Sequence, residues 1–258
     1  SIGLKDSPDL ISAKCGANHL KTDHTTIEIT EEDLLNAIPE TIEQIESYDI
    51  TTVRASTPMY LLSKFIKENT DITVILSGEG ADEASGSYLY FHNAPSPLDF
   101  NNECIRLIKD VQYFDVLRGD KTTAGNSLEI RVPFFDKDFI QFYMSIDPKN
   151  KMPREGYEKY LLRKTYEDKL PEEIIWRRKD GFSDSVSNHK KPWYEIINEY
   201  VHTFKDTIRD EYDYLNPPNE EAAWYRSIFE KYYPGQEKII PYYWWPKWSG
   251  NQLNPSGR

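Results

Sequence analysis

A short segment after residue 76 combines a glycine-containing turn with several carboxylates. Ser77 and Gly78 open the turn, and the acids Glu79, Asp82 and Glu83 follow at once. Glycines let a ligand approach the main chain closely, and free backbone N–H groups in such a turn bind phosphate, more so where a helix begins. Acids alone would repel phosphate, so the pattern makes sense if magnesium or a cationic group sits among them.

The same spacing also fits an ordinary tight turn, which is the commoner meaning of Gly-x-Gly after a strand. The run before it, residues 72–76, is short, β-branched and almost wholly apolar. Such a run predicts a strand that is buried on both faces, as in a parallel sheet. Ligands bind at the carboxyl ends of parallel strands, which is where this turn stands.

The elements around the turn predict an α/β arrangement with parallel strands in residues 1–95. Pro39 is expected to kink or restart the second helix. Strand and helix-cap signals predict strands at residues 2–4, 25–29 and 72–76, and helices that begin at Ser7-Pro8, at Thr30 and at Thr57-Pro58.

Residues 96–258 are predicted to be mostly helical, without a strand, and to pack on the α/β part. The aromatic, proline-rich stretch 241–248 is expected to pack on the body as irregular structure, with a peptide-binding surface as the less common use of such rings. Helical periods occur at residues 98–111, 113–125, 136–145, 157–169, 171–177, 192–204 and 219–233.

The net charge of the 258 residues is −12, which argues against a nucleic-acid-binding protein, because such proteins present a basic stripe. A local basic cluster can still bind an anionic substrate. No apolar run approaches membrane-spanning length, and the histidines have no metal-type spacing. Two distant cysteines, Cys15 and Cys104, favour a reducing, cytoplasmic setting. The oligomeric state is open, and a homodimer is allowed.

Three further segments carry charged and hydroxyl side chains. Residues 48–58 read Tyr-Asp-Ile-Thr-Thr-Val-Arg-Ala-Ser-Thr-Pro and by themselves predict a capped loop between two helices. Residues 176–184 contain a basic triplet, which usually marks a solvated helix end. Residues 117–136 alternate acids and bases, which is typical of a salt-bridged helix face or a buried ion network, with Asp136 as a helix cap.

Together these segments resemble the synthetase domain of glutamine-dependent asparagine synthetases. Residues 76–83, Leu-Ser-Gly-Glu-Gly-Ala-Asp-Glu, resemble the nucleotide-binding segment of that family. Residues 49–58 match its Asp-x-Thr-Thr-x-Arg-Ala-Ser-Thr-Pro, and residues 176–184 match its Trp-Arg-x-Lys-x-x-Phe-Ser-Asp. The likeness resumes at the terminal Asn254-Pro-Ser-Gly-Arg. It implies a Rossmann-like parallel sheet of the adenine nucleotide α-hydrolase type, followed by a mostly helical half.

The resemblance implies ATP-dependent amidation of aspartate, with ATP and Mg²⁺ as cofactors. The aspartate side chain attacks the α-phosphate of ATP to give β-aspartyl-AMP and pyrophosphate, and ammonia from glutamine then releases asparagine and AMP. Arg54 and Lys179 are the implied stabilisers of charge on phosphorus. Glu79 is the implied proton acceptor for the amine, or it holds the substrates.

The implied binding residues follow from the same matches. Ile2 corresponds to an apolar residue beside the adenine, and Ser77 and Gly78 to a pair that contacts the nucleotide. Asp82 corresponds to an acid near the aspartate or magnesium, and Thr51 to a threonine close to the reacting phosphate, so both are implied substrate-binding residues. The family's pyrophosphate loop and its glutaminase domain are expected upstream in the same polypeptide. We therefore expect the chain to be a piece of a longer protein and to be inactive alone.

The chain departs from the family pattern at a few positions. Ala84 and Ser85 replace bulky apolar residues, which is expected to loosen packing behind the turn, and Ser87 replaces a glycine. Ser185, also a glycine in the family, is expected to narrow the pyrophosphate exit or to be harmless, and Phe135 stands for a leucine. Two alternatives stay open: a ligase of the same fold that acts on another carboxylate, such as a β-lactam-forming relative, and a non-catalytic remnant used for binding.

Overall fold

The computed structural model describes residues 1–188, 191–209, 211–250 and 255. Of the terminal stretch Asn254–Arg258, only Pro255 lies within the described residues. In this part of the chain four short strands form two separate parallel pairs. Strand β1 (Ile2–Leu4) pairs with β2 (Ile27–Ile29), and β3 (Val74–Leu76) pairs with β4 (Glu129–Arg131). The structure is thus mixed α/β with small parallel sheets.

Thirteen α-helices make up most of the regular structure in the described residues. Those of the first half are α1 (Pro8–Leu20), α2 (Glu31–Ile45), α3 (Ile50–Asn69), α4 (Ala81–Ser85), α5 (Pro97–Asp110) and α6 (Asp115–Ala124). Those of the second half are α7 (Lys137–Ser145), α8 (Pro148–Lys151), α9 (Tyr160–Thr165), α10 (Glu172–Ile175), α11 (Phe182–Ser185), α12 (Trp193–His202) and α13 (Glu220–Tyr232).

The predicted helix starts with strong capping residues are confirmed. Ser7 caps α1, Thr30 caps α2 as part of a capping box, and Asp136 caps α7. Pro39 lies inside α2 and does not end it. The helix persists through the proline because its apolar face, spaced at three or four residues, is completely buried. The periods 157–169 and 171–177 hold only the short helices α9 and α10.

The predicted start of the third helix was wrong, because α3 begins at Ile50 and not at Thr57-Pro58. The segment interpreted as a loop is therefore the first half of this helix. Asp49 is the reason: its carboxylate accepts hydrogen bonds from the backbone N–H of Thr52 at 3.0 Å and from the hydroxyl of Thr51 at 2.9 Å. A buried cap of this kind outweighs the local signal of a later proline.

Two expectations about strands were also wrong. Residues Val74 and Leu76 of β3 are 41% and 74% exposed, so this strand is not buried on both faces. Its partner β4 lies in the half that was predicted to hold no strand. Burial of a strand depends on elements that pack over it from elsewhere in the chain, and three residues are too few for a periodic signal in the sequence.

The main core lies between α2, α3, α12 and α13, where Ile38, Val53, Trp193 and Tyr225 are completely buried. This core joins residues on both sides of position 95. A second, aromatic cluster surrounds Phe100 and includes Trp244 from the irregular tail. The tail thus packs on the body as expected.

Among the described residues no helix combines the length and the apolar character that crossing a membrane requires.

Candidate active site

The turn after β3 is held in one conformation and leaves its backbone open at one residue. The N–H of Ser77 donates to the carbonyl of Arg131 at 2.9 Å, which extends the pairing of β3 with β4. Gly80 has φ +90°, and a Cβ there would lie 2.2 Å from the ring of Phe135. A Cβ at Gly78 would meet nothing within 4 Å. Only glycine fits at residue 80, whereas a ligand can approach the backbone at residue 78.

Two adjoining cavities lie beside this turn. A small cavity of about 250 Å³ is bounded by Thr51, Asp82, Tyr88 and Arg118, among others. A large cavity of about 780 Å³ is lined in part by Ile2 and Gly78. Five residues belong to both walls: Asp9, Arg177, Lys179, Asp180 and Phe182.

The large cavity is basic on one side and apolar on the other. Five basic side chains line it against two acidic ones, although the net charge of the whole chain is −12. Its apolar wall includes Ile2, Leu62, Phe134 and Leu162. A cavity of this composition suits a ligand with a flat apolar end and an anionic end.

Asp82 sits between two lysines at the junction of the cavities. Its Oδ2 accepts a hydrogen bond from Lys179 at 2.5 Å, and its Oδ1 accepts one from Lys159 at 2.6 Å. The Ser87 hydroxyl also donates to Oδ1. Burial alone would raise the pKa of Asp82, but the two lysines hold it well below its usual range. One carboxylate thus fixes two ammonium groups and leaves one positive charge in excess.

A second network of ion pairs joins Glu79, Arg118 and Asp115, and the last two of these residues line the small cavity. Arg118 donates to Oε2 of Glu79 at 2.6 Å, and its other terminal nitrogen lies 3.2 Å from Asp115. Burial raises the pKa of Glu79, although Arg118 opposes the shift. The Nε of Arg118 is buried and has no hydrogen-bond partner among the described residues.

The structure brings most of the predicted binding residues to the two cavities. Ile2 and Gly78 line the large cavity, Thr51 and Asp82 line the small one, and Lys179 lines both. The acid Glu79 lines neither of these cavities in the described residues and borders a third cavity of about 300 Å³. Ser77 accepts a hydrogen bond from the N–H of Glu79 at 3.3 Å, which holds the turn.

Arg54 is placed differently from the other predicted residues. It is 2% exposed and, in the described part of the chain, belongs to neither cavity wall. Its Nε donates to Glu221 of α13 at 2.7 Å, a second nitrogen binds the same carboxylate, and a third donates to the carbonyl of Pro255 at 3.1 Å. Arg54 thus joins α3 to α13.

The serines that depart from the family pattern have hydrogen-bond partners. Ser87 does not have a positive φ. Its hydroxyl donates a hydrogen bond to Asp82, the carboxylate that also binds Lys159 and Lys179. Ser85 is buried and donates to the carbonyl of Ala81 at 2.5 Å. Ser185 lies on the wall of the small cavity, and its hydroxyl donates to Asp9 at 2.5 Å.

Sequence reasoning missed Lys159 and did not single out Tyr88 and Arg118 as parts of a site. Lys159 is 77 positions from Asp82 along the chain, so no local spacing connects them. The alternating charges around Arg118 were a signal, because they predicted a buried ion network. The small cavity shows that this network reaches the site itself.

The whole chain is similar to one group of known proteins. The family model described as asparagine synthase matches residues 1–99 and 95–255. The asparagine synthetase (glutamine-hydrolyzing) of Cricetulus griseus is 46% identical over 265 residues, which cover 100% of this chain and 47% of that protein. The proteins of the same name from Homo sapiens and Gallus gallus are 44% identical over the same shares. The chain thus spans about half the length of these relatives.

Proposed function

The chain belongs to the asparagine synthase family, and from this premise we propose that it is the synthetase domain of a longer protein that catalyses ATP-dependent amidation of aspartate. The proposed reaction forms β-aspartyl-AMP and pyrophosphate, and then asparagine and AMP. The observation that carries the proposal is the position of Lys179. Its ammonium group is held by Asp82 in the wall that the basic large cavity shares with the small one.

The large cavity is the proposed nucleotide site. Its apolar wall at Ile2 would receive the adenine, and its basic side would receive the phosphates. The open backbone at Gly78 lets the nucleotide approach the turn. The α-phosphate would then lie near Lys179, where the excess positive charge stabilises the negative charge that develops on phosphorus.

The small cavity is the proposed aspartate site. Its volume of about 250 Å³ suits a small amino acid, and the positively charged side chain of Arg118 in its wall supports binding of a carboxylate. The hydroxyl of Thr51 donates to Asp49, which leaves its oxygen lone pairs as acceptors. The aspartate side chain would then point at the shared wall and reach phosphorus there.

The second step needs a proton acceptor, and we propose Glu79. Ammonia would attack the acyl carbon, the bond to the AMP oxygen would break, and the proton lost by nitrogen would pass to this carboxylate. Burial raises the pKa of Glu79, which makes it a better base near neutral pH. Arg118 holds the carboxylate in place at 2.6 Å. Ammonia is proposed to come from glutamine, which the names of the relatives state that they hydrolyse.

Magnesium is proposed to enter with the nucleotide rather than on protein ligands. Both oxygens of Asp82 are occupied by lysines, and no group of three or more His, Cys, Asp or Glu in the described residues could hold a metal. Bound to ATP, Mg²⁺ neutralises part of the charge of the phosphates.

Three further parts of the proposal concern the framework. The two strand pairs are proposed to belong to one Rossmann-like sheet of the adenine nucleotide α-hydrolase type, because both pairs are parallel. The division at residue 95 stays a prediction. A direct role of Arg54 at phosphorus also stays a prediction, since its guanidinium would have to exchange Glu221 for the phosphate.

The test is aspartate-dependent exchange of radiolabelled pyrophosphate into ATP, measured on the full-length protein that contains this chain. Lys179→Ala should reduce exchange by at least about 100-fold, as loss of a charge-stabilising group does elsewhere. Glu79→Gln should largely keep exchange, which reports the first step alone, and should reduce asparagine formation from ammonia by at least about 100-fold. Lys149→Ala removes an exposed lysine that, in the described residues, lines neither cavity and is the matched control. Unchanged exchange in Lys179→Ala, or unchanged asparagine formation in Glu79→Gln, would contradict the assigned role.

Mass analysis of the products separates the proposal from its alternatives. Asparagine and AMP formed from aspartate, ATP and ammonia would support it. A different amide or a cyclised product would point to a ligase of the same fold with another carboxylate substrate, and no nucleotide turnover would support a binding role.

A further inference from the structure

Glu83 is a buried acid that the proposed reaction does not use. It lies on α4, next to Asp82, and is 2% exposed. The hydroxyl of Tyr88 contacts its carboxyl group and also lies 3.0 Å from Oδ2 of Asp115. One phenol hydroxyl therefore lies within hydrogen-bond distance of two carboxyl groups.

A count of protons decides how this cluster is held together. Tyr88 has one hydroxyl proton, and an ionised carboxylate only accepts hydrogen bonds. If both acids were ionised, the single phenol proton of Tyr88 would have to serve two anions. One additional proton on a carboxyl group supplies the missing donor. We propose that Glu83 is a neutral carboxylic acid at neutral pH and acts as a positioning residue for Tyr88 and Asp115.

The surroundings place this proton on Glu83 rather than on Asp115. The side chain of Asp115 is 22% exposed and lies 3.2 Å from Arg118, so its carboxylate has a cation that balances its charge. In the described part of the chain Glu83 makes no salt bridge. Burial, with Asp115 and Asp82 nearby, raises the pKa of Glu83 well above its usual range.

The charged and titratable groups that face Glu83 come from several elements. They are Asp82 on the same helix, Tyr88, Cys104 of α5, Asp115 of α6 and Lys179. Lys179 is held by Asp82 and so does not neutralise Glu83.

The protonation state of Glu83 affects the candidate site through its neighbours Tyr88 and Asp115. Asp115 contacts Arg118, which binds the proposed base Glu79, and Tyr88, Asp115 and Arg118 all line the small cavity. A neutral Glu83 lets Tyr88 and Asp115 keep fixed hydrogen-bond directions. In its effect on catalysis this inference rests on the proposed function, but the protonation state of Glu83 can be measured without it.

A second buried tyrosine–glutamate pair, Tyr90 and Glu103, provides a matched comparison for Tyr88 and Glu83. Glu103 of α5 is 0% exposed and accepts a hydrogen bond from Tyr90 at 2.9 Å. Arg106 binds both oxygens of Glu103, at 2.9 and 2.6 Å. Glu103 therefore has a cation that Glu83 lacks, and it is expected to be ionised.

The experiment compares Glu83→Gln with Glu103→Gln in the full-length protein, by infrared difference spectroscopy against the wild type at neutral pH. Glu83→Gln should remove a carbonyl band of a protonated carboxylic acid, and Glu103→Gln should remove a carboxylate band. Loss of a carboxylate band in Glu83→Gln would overturn the proposal, whatever the activity of the enzyme.

Aspartate-dependent pyrophosphate exchange tests whether Glu83 positions Tyr88 and Asp115. The amide of Glu83→Gln keeps a hydrogen-bond donor, so the exchange rate should stay within about threefold of the wild type. The exchange rate of Glu83→Leu should fall about tenfold or more, because it loses one hydrogen bond of about 1.4 kcal/mol. If Glu83→Gln is as impaired as Glu83→Leu, the positioning role is wrong. Absence of exchange in the wild type would instead refute the proposed function and leave the infrared result standing.

Discussion

Replacement of Asp82 by asparagine tests the charge arrangement at the junction of the cavities. The substitution keeps the size of the side chain and removes the carboxylate that holds Lys159 and Lys179. A charge pair at about 4 Å is worth about 4 kcal/mol at an effective dielectric constant of about 20. Loss of one partner of a buried pair costs about 3–5 kcal/mol. Because the side chain of Asp82 is 23% exposed, we expect the lower end, about 3 kcal/mol of unfolding free energy at pH 7.

The pH dependence gives a second signature of the same interaction. The lysines hold the pKa of Asp82 in the folded protein well below its usual range. The stabilisation is therefore present above the pKa of the unfolded chain, near 3.9, and is lost as the pH falls through the lower pKa of the folded state. The difference between wild type and Asp82→Asn should accordingly be constant near neutral pH and shrink below about pH 4.

Urea unfolding followed by tryptophan fluorescence measures both effects. Asp23→Asn is the control, because Asp23 is exposed, and it should change the unfolding free energy by less than about 0.5 kcal/mol. A loss below about 1 kcal/mol for Asp82→Asn at pH 7 would mean that the lysines are screened like a surface pair. The junction of the cavities would then be neither preorganised nor strongly positive.

Two further substitutions test the framework of the site. Gly80→Ala should cost about 1–3 kcal/mol of unfolding free energy, because φ is +90° and Phe135 leaves no room for a Cβ. Adding Phe135→Leu to this variant should recover part of the lost stability. An unchanged unfolding free energy in Gly80→Ala would contradict the turn geometry. Arg54→Met should cost about 3–5 kcal/mol by leaving Glu221 buried and unpaired, whereas Arg54→Met with Glu221→Leu should be much less destabilised. A double variant no more stable in urea than the single one would show that the pair itself is needed.

Local signals in the sequence predicted the parts of the fold that local interactions determine. The caps at Ser7 and Thr30 and the buried face of α2 were all found in this way, because each involves residues a few positions apart. Asp49 shows the limit. Its second oxygen accepts a hydrogen bond at 2.7 Å from the N–H of Trp244, 195 positions away, and no pattern near residue 49 indicates this contact.

The candidate site shows the same division. Resemblance to a family identified Lys179 and Asp82, since both stand in recognisable motifs. It did not identify Lys159, whose pairing with Asp82 of α4 forms only when the chain has folded, because the two residues are 77 positions apart. The exposure of β3 was missed for a related reason, because an apolar run carries no information on which elements cover it.

The positive charge at the junction depends on pairing and protonation, not on the number of basic residues. Lys159, Lys179 and Arg118 are linked by direct contacts to Asp82, Glu79 and Asp115. Lys159 and Lys179 share the single carboxylate of Asp82, so with Glu83 neutral one positive charge is in excess at this point. With Glu83 ionised, its negative charge beside Asp82 would offset that excess. In the proposed nucleotide site, binding of the phosphates should therefore weaken as this buried acid loses its proton.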